Sequence, residues 1–334
     1  MKILRKILLP FTLIYWFVTA IRNLLYNAGI FKSYTFSVPV IGVGNLSTGG
    51  TGKTPKIEYL IRMLSSQYRV AVLSRGYKRS TKGFVLANAQ SNASILGDEP
   101  YQFYSKFPDI DVAVDADRKN GIEQLLLLSP RPQIILLDDA YQHRRVKATY
   151  YILLTAYGDL YANDYVLPAG NLREGSSGAR RANAIVVTKC PPDLSIPQQD
   201  KIIKMLRPEK GQKVYFTAIA YDDAVYSESE CISIPELATT PKVLVAGIAK
   251  PKPFFEHLAQ REDKCLTYPD HHDFTESELV ELRKLCETKV VITTEKDYMR
   301  LKGKLPPDRL FYLPIKSAFL KDENSFTAPI FGLI

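Results

Sequence analysis

Residues 38–55 read V-P-V-I-G-V-G-N-L-S-T-G-G-T-G-K-T-P, and this stretch limits what the chain can fold into more than any other. The apolar, β-branched run at 38–43 predicts a buried strand. An amphipathic helix follows, with Ile57, Leu60, Ile61 and Leu64 on one face. Between them lies a glycine-rich turn. Gly49, Gly50 and Gly52 let the backbone curl so that successive N–H groups point inward at an anion. The helix N-terminus adds its partial positive charge. Residues Ser47, Thr48, Gly49, Gly50, Thr51, Gly52, Lys53 and Thr54 therefore form a candidate phosphate loop. Lys53 is placed to reach the β- and γ-phosphates, and the Thr54 hydroxyl to sit on Mg²⁺. The eight-residue pattern wants glycine first and finds Ser47, a departure at its least chemical position. Strand, loop and helix in this order predict nucleotide phosphate binding; the bland alternative is a glycine-rich turn without a ligand.

A chain of 334 residues is long for one core, so one large or two modest α/β units are expected. A formal net charge of +9 suits anionic partners such as phosphates, nucleic acid or an acidic membrane surface, without choosing among them. The four cysteines, at 190, 231, 265 and 286, are far apart and form no C-x-x-C. They fit reduced thiols of a cytosolic protein better than a zinc site or disulfide frame.

The first thirty residues stand apart. Residues 7–21 are almost wholly apolar, with Lys2, Arg5 and Lys6 before them and Arg22 after. Fifteen residues fall short of the ~20 that span a bilayer, and Pro10 interrupts them. A helix lying in the membrane interface is expected, its apolar side in lipid and its basic residues near anionic headgroups. The alternative is a hydrophobic helix packed on the protein's own core.

Further along, a strand at 69–74 leads into S-R-G-Y-K-R and leaves Arg75 at a strand-to-loop junction, where open α/β sheets contact ligands. Gly97-Asp98-Glu99-Pro100 predicts a helix start, with acids in the first turn, and a plain cap is the competing reading of Asp98. Arg118 heads a leucine-rich helix. The run Q-I-I-L-L-D-D at 133–139 is the second anchor: an apolar strand ending in acids puts a carboxylate, Asp138 or Asp139, at the Mg²⁺ of bound nucleotide. His143, Arg144 and Arg145 follow and crowd positive charge beside these acids. Arg173 and Glu174, in a turn-rich segment at 167–175, are within reach of the same cleft. A second strand-rich half is expected from Lys213 onward, and it carries Asp-His-His-Asp at 270–273, with imidazoles suited to taking a hydroxyl proton. GTPases carry an N/T-K-x-D motif that reads the base. The nearest stretch here, Thr188-Lys189-Cys190-Pro191, lacks the acid and so favours ATP.

Eight segments together carry a resemblance: G-N-L-S-T-G-G-T-G-K-T-P, L-S-R-G-Y-K-R, G-D-E-P, D-D-A-Y-Q-H, L-P-A-G-N-L-R-E, G-I-A-K-P-K-P-F-F, P-D-H-H-D-F and T-T-E-K-D. In this order the chain resembles the tetraacyldisaccharide 4'-kinases, the lipid A kinase family of Gram-negative bacteria, over about residues 40–300. The hydrophobic N-terminus also looks like that family's membrane helix. Departures are mild: Ala140-Tyr141 where Gly-Phe is commoner, Lys78 where a second glycine is, and Gly175 where proline usually follows Arg-Glu.

The resemblance implies transfer of the ATP γ-phosphoryl group to the 4'-hydroxyl of a tetraacylated glucosamine disaccharide 1-phosphate. The place it implies is the cytoplasmic face of the bacterial inner membrane, with the enzyme peripheral or monotopic. The expected architecture is a P-loop NTPase-like doubly wound α/β sheet with a second, smaller α/β lobe, divided as an N-terminal helix (1–32), a kinase core (33–212) and a second lobe (213–334). ATP and Mg²⁺ are the expected cofactors. Lys53 and the loop hold the triphosphate; Thr54 with Asp138 or Asp139 holds Mg²⁺, Asp139 taking a direct part. His271, oriented by Asp98, takes the hydroxyl proton, the first of the two histidines being preferred by the resemblance. Arg75, Arg118, His143 and Arg173 meet phosphate charge on donor or acceptor, and Glu174 orients one of them. The partners expected are the lipid substrate and the membrane surface, with no nucleic acid and no obligate protein partner implied. The rival from another class is a membrane-attached P-loop ATPase that uses hydrolysis as an assembly or transport switch; a nucleic-acid ATPase ranks third, without supporting motifs.

Overall fold

The structure, a computed structural model, describes residues 7–270 and 272–334. The first eight strands are β1 (Val40–Asn45), β2 (Val70–Ser74), β3 (Val85–Leu86), β4 (Asp111–Val114), β5 (Ile134–Leu137), β6 (Tyr150–Ala156), β7 (Ala184–Thr188) and β8 (Lys213–Tyr221). Then come β9 (Ala224–Tyr226), β10 (Cys231–Ser233), β11 (Lys242–Ala246), β12 (Lys264–Thr267), β13 (Val290–Thr294), β14 (Leu310–Leu313) and β15 (Ile315–Phe319). They form a nine-stranded sheet ordered β15-β8-β7-β6-β1-β5-β2-β4-β3 and a six-stranded sheet ordered β10-β9-β14-β13-β11-β12. From β4 to β8 the large sheet is parallel; only the edge strands β3 and β15 run antiparallel. Every residue of β1, β2, β5 and β7 is buried, as strands covered by helices on both faces must be.

Strand β1 lies between β5 and β6, and the chain reaches these neighbours in opposite directions across the sheet. A crevice opens beyond the carboxyl ends of the strands at such a point. The phosphate loop therefore sits at the crevice, with the acids after β5 on one side and the turn after β7 on the other.

The two sheets divide the chain differently from the expected break at 212/213. Strand β8 begins at Lys213 but pairs with β7, so it completes the first sheet. The second sheet takes only β9 to β14. The chain then returns: β15 pairs with β8, and the helix Glu323–Phe331 places Phe326 and Ile330 in the first core against Ile57, Leu60 and Ile61 of the phosphate-loop helix. Both ends of the second lobe are thus anchored in the first.

The N-terminal helix Leu9–Asn27 turns its polar side inward. Its only buried residues are Thr12 and Thr19, while Ile7 is 73% and Leu13 67% exposed, as are Phe11, Ile14, Phe17 and Val18 along the same outer face. The protein's own core does not cover it. No helix among the described residues is long and apolar enough to cross a membrane.

Candidate active site

Strand β1 ends at Asn45 and the helix Lys53–Leu64 begins after seven residues of loop. Gly52 precedes the helix at φ 84°, ψ 28°, and Gly49 has φ 107°, left-handed conformations that glycine adopts without steric cost. Neighbours fasten the loop on three sides. Thr48 N–H donates to Asn171 O (2.7 Å) and Arg173 N–H to Leu46 O (2.7 Å), binding it to the 167–175 segment. The Asn45 side-chain amide donates to Thr51 Oγ1 (2.8 Å), and Thr188 Oγ1 to Thr51 O (2.8 Å). Ser47, the non-glycine at the loop's start, forms a bridge with Leu172. The first-turn N–H groups of Lys53 and Thr54 have no partners within the helix, as at any helix N-terminus.

The two acids after β5 have different surroundings. Asp138 is buried and accepts from Ser74 Oγ (3.0 Å). Burial, and then the charge of Asp139, push its carboxyl up to about 6 against the pull of Lys53, and Glu99 adds to the rise. Asp139 holds a left-handed backbone (φ 49°), a conformation that costs an aspartate about 1 kcal/mol and that collects at functional positions. Its carboxylate receives Lys53 Nζ at 3.4 Å and Arg173 Nη1 at 2.9 Å. Burial alone would raise its pKa, but Lys53 and Arg173 outweigh it and hold the group below the usual carboxylate range. Adjacent carboxylates are thereby pulled apart, and two cations from distant segments converge on one anion.

Around them, Arg118 is 2% exposed and donates to the carbonyls of Asp115 (2.5 Å) and Asp138 (3.2 Å). Burial lowers its guanidinium to about 10, with Asp138 and Asp139 opposing the shift. His143 departs from its expected charge: burial, then the nearby Arg118 and Arg75, bring it down to about 4, so it is neutral near pH 7. Nor do the next two residues crowd the acids. Arg144 donates to Asn23 O (2.8 Å) and Asn27 Oδ1 (2.7 Å) of the N-terminal helix, and Arg145 pairs with Asp117 (2.7 Å). Arg118, His143 and Arg145 line a cavity of about 230 Å³. Arg75 is exposed at the end of β2.

Glu174 does not contact the arginines it was expected to orient. It is buried and accepts from Arg181 (2.7 Å), Asn23 (2.6 Å) and Gln142 (3.2 Å), so it ties the N-terminal helix to the crevice. Tyr15 Oη donates to Arg173 O (3.1 Å) and Arg22 to Gln142 O, so the turn after β5 and the 167–175 segment both touch this helix.

Asp98 is the first residue of the helix Asp98–Lys106, behind Gly97 as N-cap, and so lies in the helix's first turn rather than at the cap. It pairs with Arg300, from the helix Glu295–Leu301 of the second lobe. That helix also offers Lys296 to Glu99 (3.5 Å) and Glu295 to Lys106. Its base is fixed by Asp297, fully buried, accepting from Gly247 N–H (2.8 Å) and Thr294 Oγ1 (2.7 Å). The segment T-T-E-K-D therefore grips the G-D-E-P helix across the lobe boundary. His271 lies outside the described residues. His272 bonds Glu278 (2.9 Å) and stacks on Tyr268 (centroids 5.0 Å apart), an arrangement internal to the second lobe.

Sequence reasoning missed Ser74, Gln142, Asn45 and Arg300. A strand-end serine beside an acid-ended strand offered a weak hint of the first. Arg300 offered none, being 202 residues from its partner.

The family model of tetraacyldisaccharide-1-P 4'-kinase matches residues 4–333. A tetraacyldisaccharide 4'-kinase of Flavobacterium psychrophilum is 57% identical across 100% of this chain and 98% of its own length; that of Flavobacterium johnsoniae is also 57% identical, with the same shares covered. The crystal structure of the "apo" form of LpxK from Aquifex aeolicus, in complex with ATP, is 30% identical, covers 99% of both chains and gives a TM-score of 0.80. Both the family model and the identity extend over nearly the entire sequence, and the chain belongs to the tetraacyldisaccharide 4'-kinase family.

Proposed function

We propose that this protein transfers the γ-phosphoryl group of ATP to the 4'-hydroxyl of a tetraacylated disaccharide 1-phosphate in lipid A biosynthesis. The observation that carries the reading is the convergence of Lys53 and Arg173 on the Asp139 carboxylate at the mouth of a phosphate loop. Phosphoryl transfer needs little covalent help from a protein; it needs positioning and charge stabilisation. The loop's N–H groups and Lys53 hold the phosphates, and Arg173 faces the charge that grows during transfer. Thr54, Asp138 and Asp139 supply a hydroxyl and two carboxylates, the hard oxygen donors that Mg²⁺ takes together with phosphate. Bound there, the ion neutralises charge on the phosphate oxygens.

Asp98 stands at the first lobe's face of the cleft, held by Arg300 of the second. In this reading it orients His271, whose imidazole accepts the 4'-hydroxyl proton. Arg75, Arg118 and neutral His143 meet the acceptor's phosphate, for which the 230 Å³ cavity offers room. Comparison of His271→Ala with His272→Ala in a phosphotransfer assay tests the base. A large loss of kcat confined to the first supports it; equal, small losses remove it.

The lipid substrate gives the inverted N-terminal helix its purpose. A row of exposed Ile, Leu and Phe side chains on a helix anchored by its polar side fits the interfacial zone of a bilayer. The enzyme then sits peripherally on the cytoplasmic face of the inner membrane. Flotation with anionic liposomes tests this: the full chain should rise with the vesicles, and a chain beginning near Ser33 should stay behind.

A further inference from the structure

The stretch Thr188-Lys189-Cys190-Pro191 lacks the acid of a guanine-reading motif, yet the fold puts it where such a motif works. It leaves the carboxyl end of β7, two strands from β1, and reaches back onto the phosphate loop. Thr188 Oγ1 bonds Thr51 O at 2.8 Å, and the next residue's ammonium, Lys189 Nζ, bonds Gly50 O at 2.5 Å. Two consecutive side chains thus grasp two consecutive loop carbonyls. Lys189 does so from a left-handed backbone (φ 59°), a strain for lysine that only a specific geometry sustains. Its head is tied down, while its side chain as a whole remains exposed. The stem thus lies against the phosphate loop beyond the carboxyl end of β7.

A lysine held by its ammonium presents its four methylenes as a flat apolar strip. An aromatic base resting there would bury both its own face and the stem, with the positive head at the ring's edge. Pro191, standing where the motif's acid would be, has no side-chain group to read the base's edge. We infer that Lys189 has two roles toward the nucleotide: its stem is the floor of the nucleobase subsite, and its ammonium braces the phosphate loop through Gly50. This rests on the phosphate-loop reading above and extends it from the phosphates to the base.

Two substitutions separate the roles. Lys189→Met keeps the stem and loses the brace; Lys189→Ala loses both. Titration calorimetry with Mg²⁺ and either ATP or inorganic tripolyphosphate measures what the nucleoside adds to binding. In the wild type ATP should bind more tightly than tripolyphosphate. Lys189→Ala should cut that ratio about tenfold, the size of one desolvated ring contact. Lys189→Met should weaken both ligands severalfold and keep the ratio. Circular dichroism and a melting curve establish that each variant is folded. An unchanged ratio in Lys189→Ala, or a ratio lost equally in Lys189→Met, overturns the assignment. If neither ligand binds the wild type, the phosphate-loop reading itself falls, and the floor with it.

Discussion

Lys56, on the inner face of the phosphate-loop helix, has a wholly buried side chain whose ammonium has no hydrogen-bond partner among the described residues. It lies over the rings of Phe319 (4.1 Å), Tyr59 (4.7 Å) and Phe326 (5.1 Å), where β15 and the C-terminal helix close over the first core. The Glu323 carboxylate acts on it, and accepts from Tyr59 Oη at 2.7 Å. Burial lowers the ammonium to about 7, with Glu323 opposing the shift. From the ordinary lysine value near 10.5, such a drop corresponds to about 5 kcal/mol of penalty for the charged form. Attraction to the three ring faces offsets about 2 kcal/mol of it. Replacement of Lys56 by methionine, of similar length and no charge, should therefore stabilise the fold by about 3 kcal/mol at pH 7. The sign with pH follows from the two states. Between pH 7 and 10.5 the unfolded chain carries a proton at this site and the folded chain does not, so wild-type stability from this group rises with pH and levels off below 7 at its lowest value. Urea denaturation of wild type and Lys56→Met at pH 7 and 9.5 reads both effects: the variant should gain most at pH 7, and the gain should shrink at 9.5. A variant less stable than wild type at pH 7 would mean that the rings hold a charged lysine, and that the desolvation reasoning is wrong.

Three further outcomes are expected. Lys53→Ala should lower kcat by about a thousandfold while the KM for the lipid acceptor stays within a few-fold, because Lys53 meets the donor and not the acceptor; steady-state kinetics with each substrate varied checks this. Glu174→Ala removes the shared partner of Arg181, Asn23 and Gln142 and should cost about 3 kcal/mol, the range for breaking a buried pair, read as a fall in Tm together with weaker liposome flotation. Lys78 has φ 59°, so Lys78→Gly should relieve about 0.5–1 kcal/mol of backbone strain, seen as a small rise in Tm.

What the sequence disclosed was local chemistry. The phosphate loop, the acids after β5 and the strands around them are each written in one short window, where glycine freedom and apolar runs act on adjacent residues. The mild departure at Lys78 also has a local cause, since the left-handed backbone there is what a glycine would relieve. Pairing between distant windows left no such mark. Strand β8 and its partner β15 lie on either side of the whole second sheet, and no residue in 213–221 announces that its partner arrives at 315. The helix Glu323–Phe331 has Pro329 within it and a weak apolar stripe, yet it delivers Phe326 to the first core. Arg300 reaches Asp98 only because two lobes meet. The N-terminal helix lies between these cases. Its apolar run was plain, and Thr12, Tyr15, Thr19, Arg22 and Asn23 recur at spacings of three and four, so the polar face that docks could have been traced in advance.

The central claim is that the phosphate held beside Lys53 leaves for a sugar hydroxyl. Incubating the protein with γ-labelled ATP, Mg²⁺ and the tetraacylated disaccharide 1-phosphate, then separating lipid from inorganic phosphate, follows that group directly. The expected result is label on the disaccharide, at the 4' position and dependent on Lys53; label recovered only as free phosphate would contradict a kinase and point to an ATP-driven switch.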